Sequence, residues 1–123
     1  MALSNFGLVL AKLGRLEQAL ASYDRALAVK PDYADALNNR GNVLVQLNRH
    51  EEALASYDRA LAIKPDNAEA LYNRGFVLQE LTRHEEALTT YDRALAVRSD
   101  SAEALNSRGN VLRNLKLSIS AEI

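Results

Sequence analysis

The chain has 123 residues, a formal net charge of −1, no cysteine, two prolines, five glycines and 6% aromatic residues. That length suits one domain with one continuous core, and a composition led by Ala and Leu at helical spacing points to helices, since a sandwich needs more turn punctuation and more β-branched residues. The charge balance offers no basic excess for phosphates, the missing cysteine removes disulfides and thiolate sites, and no apolar run approaches the ~18 residues of a membrane span. Nucleic acid and membrane are therefore not expected partners. The opening MALSNFGLVLAKLG carries an apolar stretch with no basic segment ahead of it, so a signal peptide is not expected and a soluble cytoplasmic chain is.

In chain order, one sequence unit returns every 34 residues. It reads SNFGLVLAKLGRLEQALASYDRALAVKPD from Ser4, NNRGNVLVQLNRHEEALASYDRALAIKPD from Asn38, and YNRGFVLQELTRHEEALTTYDRALAVRSD from Tyr72. A first half, NSRGNVLRNLK, follows from Asn106. The units span 1–33 (first residue missing), 34–67, 68–101 and an incomplete 102–115, with a divergent tail over 116–123. The second and third share 22 of 34 residues, which makes internal repetition the governing fact of the fold.

Each unit divides into two helices. In the second unit, Ala36, Leu37, Leu44 and Leu47 mark helix A over about 34–47, and Ala53, Leu54, Tyr57, Ala60, Leu61 and Ile63 mark helix B over about 50–63. Asn48-Arg49 forms the turn between them, as Gly14-Arg15 does in the first unit. Pro31 and Pro65 end helix B, Asp66 with Glu69 reads as a capping box for the next helix A, and Lys30, Lys64 and Arg98 sit at the negative end of the helix B dipole. Gly7, Gly41, Gly75 and Gly109 recur inside helix A, where Gly costs about 1 kcal/mol against Ala, so a close approach is expected there. Ala19, Ala53 and Ala87, with Ala26, Ala60 and Ala94, give helix B a small-residue face, and Tyr23, Tyr57 and Tyr91 are expected to fill the space between units.

This arrangement of Gly at the eighth position, Ala at the twentieth, an aromatic at the twenty-fourth, Ala at the twenty-seventh and Pro at the thirty-second resembles the tetratricopeptide repeat family over nearly the whole chain. The resemblance implies an all-α solenoid: antiparallel helix pairs stacked as a right-handed superhelix, with helix A lining a concave groove. There are departures. Leu3, Leu37, Leu71 and Leu105 stand where the family has Trp, Ser99 replaces the third Pro, and Arg40, Arg74 and Arg108 stand where the family has Leu. Each of these arginines follows, one unit on, an Asp of helix B: Asp24, Asp58 or Asp92. An Arg–Asp bond across the stack is one reading; a partner within the unit or plain exposure are the others. In the first unit the same position is the apolar Phe6.

Two patterns invite a catalytic reading and fail. His50 and His84 open HEEAL, close to the HExxH of zinc proteases, but Leu54 and Leu88 stand where a second ligand belongs, so neither a metal nor a cofactor is expected. The pairs Glu51/Glu52 and Glu85/Glu86 lie in the first turn of helix B, where acids suit the dipole. No nucleophile set or phosphate loop appears, and an enzyme is not expected.

The inferred groove carries the functional reading. Asn5, Asn39 and Asn73, followed by Ser107, form a row of donor–acceptor side chains suited to an extended peptide backbone. The row is similar to the asparagine ladder in the repeat arm of O-linked N-acetylglucosamine transferases and bacterial relatives. Tyr72 and Phe76, one turn apart, are the candidate anchor for a ligand side chain, and Asn38, Asn42, Asn106 and Asn110 complete the lining. The carboxylate clamp of chaperone-binding repeats is rejected, because its asparagines have counterparts in Asn42 and Asn73 but Glu69, Glu103, Asn38 and Ser107 replace its cations. The expected function is a non-catalytic scaffold binding a peptide or partner protein in the groove. The alternatives are a self-assembling, homo-oligomeric module or the substrate-recruiting part of a larger enzyme such as a glycosyltransferase. Self-association is expected through the ends, where Leu3, Phe6 and Val9 lack a preceding unit and Leu105, Val111, Leu112 and Leu115 lack a helix B, with Leu117, Ile119 and Ile123 beyond them. The chain is then either a piece of a longer array or one whose ends are covered by another copy.

Overall fold

The computed structural model describes residues 2–122, and the side chains of residues 2–117. Among the described residues there are seven helices and no strand: α1 (Ala2–Lys12), α2 (Leu16–Val29), α3 (Ala34–Gln46), α4 (His50–Ile63), α5 (Ala68–Glu80), α6 (His84–Val97) and α7 (Ala102–Glu122). They divide into two compact units, Met1–Pro65 and Asp66–Ile123. In the first, α1 packs on α2, α2 on α3 and α3 on α4; in the second, α5 packs on α6 and α6 on α7. Turns of a few residues between helices packed side by side leave only an antiparallel course. The helices expected over 34–47 and 50–63 appear as α3 and α4.

One turn is used three times. Gly14, Asn48 and Thr82 have positive φ, and the amides of each and of the next residue reach back to the preceding helix. Thus Asn48 N–H donates to Val45 O at 2.9 Å and Arg49 N–H to Leu44 O at 2.8 Å, the paired bonds that close a helix through a left-handed residue. Gly and Asn suit that conformation, whereas the β-branched Thr82 holds it at φ 58° against its own sterics. At the other end of the helices the expected Asp66–Glu69 box does not cap α5. Asn67 is the N-cap, its side chain accepting from Ala70 N–H at 3.2 Å, and Ser101 Oγ accepts from Ala104 N–H at the start of α7 at 3.2 Å. These short side chains sit one residue nearer the helix and reach its free amides. Lys30, Lys64 and Arg98 are the C-cap residues of α2, α4 and α6, as their place at the dipole end requires.

The repeated glycine has a single cause. A Cβ on Gly41 would stand 2.5 Å from Tyr57 Cε1, one on Gly75 would stand 2.5 Å from Tyr91 Cε1, and one on Gly7 would stand 2.9 Å from Tyr23 Cε1. The tyrosine of helix B therefore packs on the glycine of helix A in its own repeat, while Tyr23 also borders Asn39, Asn42, Val43 and Gln46 of the next repeat and Tyr91 reaches Ser107 of the next. All three rings are buried. Gly109 meets nothing within 4 Å.

Arginines tie successive repeats within each unit. Arg40 Nε lies 2.6 Å from Asp24 Oδ1 and Arg108 Nε lies 2.5 Å from Asp92 Oδ1, so the bond across the stack is present in both units. Arg74 donates to Thr90 Oγ1 at 2.5 Å, a partner in its own repeat. The exposed carboxylates Glu52 and Glu86 are each gripped by two nitrogens of Arg49 and Arg83, which holds both below the usual carboxylate range. Finally, α7 does not stop at 115 but continues to Glu122. Val111 is fully buried, with Ala104, in the face that α7 turns to α6, whereas Leu105 (51%), Leu112 (40%) and Leu117 (62%) are exposed. The Ile119 side chain and Ile123 lie outside the described residues. No described helix is long and apolar enough to cross a membrane.

Two stability predictions follow from the turn and the glycine seat. Gly41→Ala forces the Tyr57 ring aside and is expected to cost about 1–3 kcal/mol, whereas Gly109→Ala, with open space around it, gains up to about 1 kcal/mol from helix propensity. Urea unfolding of the two variants measures both, and an equal loss in both would remove the tyrosine contact as the cause. Thr82→Asn relieves the positive φ and is expected to stabilise by about 1 kcal/mol, read as a higher urea midpoint.

Candidate functional site

The A helices α1 and α3 of the first unit, and α5 and α7 of the second, present the residues expected to line a groove. In the first unit Asn5 is exposed, and Asn39 and Asn42 are half-buried. Asn38 is 6% exposed and so is withdrawn from the surface a ligand could touch, a correction to its expected role. Helix geometry explains it: Asn38 lies one turn from the buried Ala34 and one turn from the buried Gly41, on the same stripe of α3. Asn42 is tied to the core, its Oδ1 accepting from the Tyr57 hydroxyl at 2.5 Å.

Between α1 and α3 opens a hollow of about 200 Å³. Its lining is Leu8, Ala11 and Lys12 from α1, Tyr23 from α2, and Asn39, Asn42, Val43 and Gln46 from α3. The three core tyrosines differ here. Tyr57 donates to Asn42, and Tyr91 donates to Gln79 Oε1 through a short bond. The residues equivalent to those acceptors in the first repeat are Leu8 and Ala11, and neither offers one. Tyr23 is 0% exposed. Burial pushes that hydroxyl above the usual tyrosine range. This group was legible in the sequence only through two substitutions at repeat-equivalent positions.

In the second unit Tyr72, Asn73 and Asn110 are half-buried, Asn106 is exposed and Phe76 is 39% exposed. The Tyr72 and Tyr91 rings are tilted at 45° with centroids 5.8 Å apart, and the Tyr72 hydroxyl lies 3.4 Å from Ser107 Oγ. Burial raises the Tyr91 hydroxyl far above its usual range, a rise its contact with Ser107 only partly offsets. Tyr72 and Asn73 edge a hollow of about 260 Å³ that Glu69, Arg98, Ser101 and Glu103 also line. Phe76, Asn106 and Asn110 are not part of that lining. Arg98 and Ser101, at the end of α6 and the start of α7, did not stand out in the sequence because their helix-end roles explain them.

His50 and His84 are the first residues of α4 and α6, and among the described residues no three His, Cys, Asp or Glu side chains gather as a metal site would need. What both units offer chemically is a set of amides, hydroxyls and aromatic edges around shallow hollows, which is equipment for binding.

These features define a helical-repeat protein built from successive helix pairs. The TPR-repeat profile matches residues 7–47 and 41–81, the tetratricopeptide repeat profile matches residues 68–101, and the chain belongs to the tetratricopeptide repeat family. Its fold is an all-α solenoid of that type. Solved structures agree. The first TPR of Spaghetti (RPAP3) bound to HSP90 peptide SRMEEVD is similar with TM-score 0.92 and 23% identity, over 94% of this chain and 91% of that one. The second TPR domain of human RPAP3 in complex with HSP70 peptide SGPTIEEVD is similar with TM-score 0.85 and 21% identity, over 89% and 91%. The Sgt2 TPR domain from Aspergillus fumigatus is similar with TM-score 0.90 and 17% identity, over 97% and 80%. No curated protein matches the chain in sequence.

Proposed function

We propose that the chain is a non-catalytic scaffold that binds a peptide or a partner protein on its A-helix surfaces. The observation that carries this reading is the pair of solvent-open hollows, one in each unit, lined by amides and tyrosines rather than closed by packing. The two RPAP3 domains, whose structures hold peptides, share the fold and lend support. The groove residues are Asn5, Asn39 and Asn42 in one unit and Tyr72, Asn73, Phe76, Asn106 and Asn110 in the other.

The ligand class differs from the acidic peptides of those structures. Glu69 and Glu103 face the second unit's hollow against a single Arg98, and like charges repel a carboxylate-rich peptide at short range. Titration with SRMEEVD is therefore expected to show no saturable binding, while peptides selected from a random library bind the wild-type chain. A Tyr72→Ala/Asn73→Ala variant is expected to lose at least tenfold in affinity for those peptides, because the pair combines an aromatic anchor with a backbone-pairing amide. Unchanged affinity in the double variant, or tight binding of SRMEEVD, would sink this assignment.

A second reading, self-association through α7, is favoured by the exposed Leu105, Leu112 and Leu117. Sedimentation over a concentration series is expected to show a species heavier than 13.6 kDa that Leu112→Glu shifts toward the monomer. A monomer at every concentration would exclude it.

A further inference from the structure

One face of α7 repeats a surface that is covered everywhere else in the chain. Leu105, Gly109 and Leu112 stand at the repeat positions of Leu37, Gly41 and Leu44 on α3, and of Leu71, Gly75 and Leu78 on α5. There α4 and α6 pack on the helix: all four leucines are at most 1% exposed, and each glycine seats a tyrosine. On α7 the two leucines are 51% and 40% exposed, and Gly109 meets nothing within 4 Å. Steps of four and three residues keep the three on one stripe. The stripe is two leucines flanking a glycine, an apolar surface whose centre lets a second backbone come close.

Charge selects what covers it. The exposed acids Asp100 and Glu103 lie at the start of α7, no acid follows between 104 and 117, and the exposed Arg113 and Lys116 lie in its second half. We infer that the stripe is covered by α7 of a second copy, laid antiparallel, the two helices crossing near Gly109 with Leu105 of each over Leu112 of the other. That orientation sets the acidic start of each helix beside the basic half of its partner, whereas a parallel pair sets like charge on like. The other exposed apolar face, Phe6 (57%), Val9 (54%) and Leu13 (65%) along α1, fits α7 less well. No acid lies on α1, Lys12 ends it and Arg15 follows, so it offers Arg113 and Lys116 no counter-charge, and the bulk of Phe6 obstructs a close crossing. The proposal rests on the self-association reading above and specifies its geometry, a closed two-fold pair rather than an open array.

The chain has no cysteine, so introduced thiols report only on this contact. Oxidation of an equimolar mixture of Leu105→Cys and Leu112→Cys chains is expected to give a disulfide-linked pair of one of each. Leu105→Cys alone is expected to give almost none, because its two copies stand roughly 10 Å apart along the helix axis, beyond the reach of a disulfide. Efficient linkage of Leu105→Cys to itself, or no linkage in the mixture, overturns the antiparallel register. Gly109→Leu is expected to weaken the pair at least tenfold in sedimentation while leaving the Tm of the dilute chain unchanged or higher, since the position is open within one copy. A pair of undiminished strength overturns the crossing at Gly109. Phe6→Glu is expected to leave association intact, and its loss in that variant would overturn α7 as the partner in favour of α1. A chain that stays monomeric at every concentration overturns this geometry and the self-association reading together, whereas a dimer with the wrong cross-links overturns the geometry alone.

Discussion

The contact on which the fold depends is a tyrosine ring lying against a glycine. Gly41 and Gly75 leave room for Tyr57 and Tyr91 at distances that no Cβ would permit, and Gly7 does so for Tyr23. This contact sets how closely helix A and helix B of one repeat approach, and so where each A helix can present its outer face. The small helix B residues Ala19, Ala53 and Ala87, each fully buried, keep the rest of the interface equally tight. A glycine in mid-helix is locally unfavourable, and the buried aromatic ring that it admits more than offsets the loss.

On that fixed pair the polar groups divide into those that join or cap helices and those that border the hollows. Arg40–Asp24 and Arg108–Asp92 join one repeat to the next inside each unit, and being partly exposed they specify register more than they add stability. Asn67 and Ser101 satisfy helix starts, and Asn42 and Gln79 receive buried hydroxyls. Asn39 and Tyr23 border one hollow, and Tyr72 and Asn73 the other. Most of the amides that look alike in the sequence are thus distinguished only by which tyrosine or helix end lies near them.

That distinction is also what limits a reading of the sequence. The helices and their order follow from the 34-residue period, because spacing alone specifies which residues face inward. The same period carries the Arg–Asp bonds. Caps follow less directly: Asp66, Asn67 and Glu69 all have side chains able to cap a helix, and a shift of one position decides which of them reaches an amide. Asn38 and Asn39 are neighbours with opposite fates, since a step of about 100° around a helix separates a buried side chain from an open one. The continuation of α7 through residues 116–122 breaks the repeat pattern and so had no internal template.

The named side-chain contacts also bear on how the chain acquires its structure. They join residues 16 apart at Arg40–Asp24 and 35 apart at Tyr72–Ser107, so within each unit no described bond must wait for a segment much more than one repeat away. Closing such short loops costs little chain entropy, and helical proteins of low contact order fold in about microseconds to milliseconds. The liability lies in the sameness of the repeats. A helix A that meets the helix B of the wrong repeat finds the same tyrosine for its glycine and the same aspartate for its arginine. Correct pairing then depends on the short turns, which bring each proper partner into reach before any other.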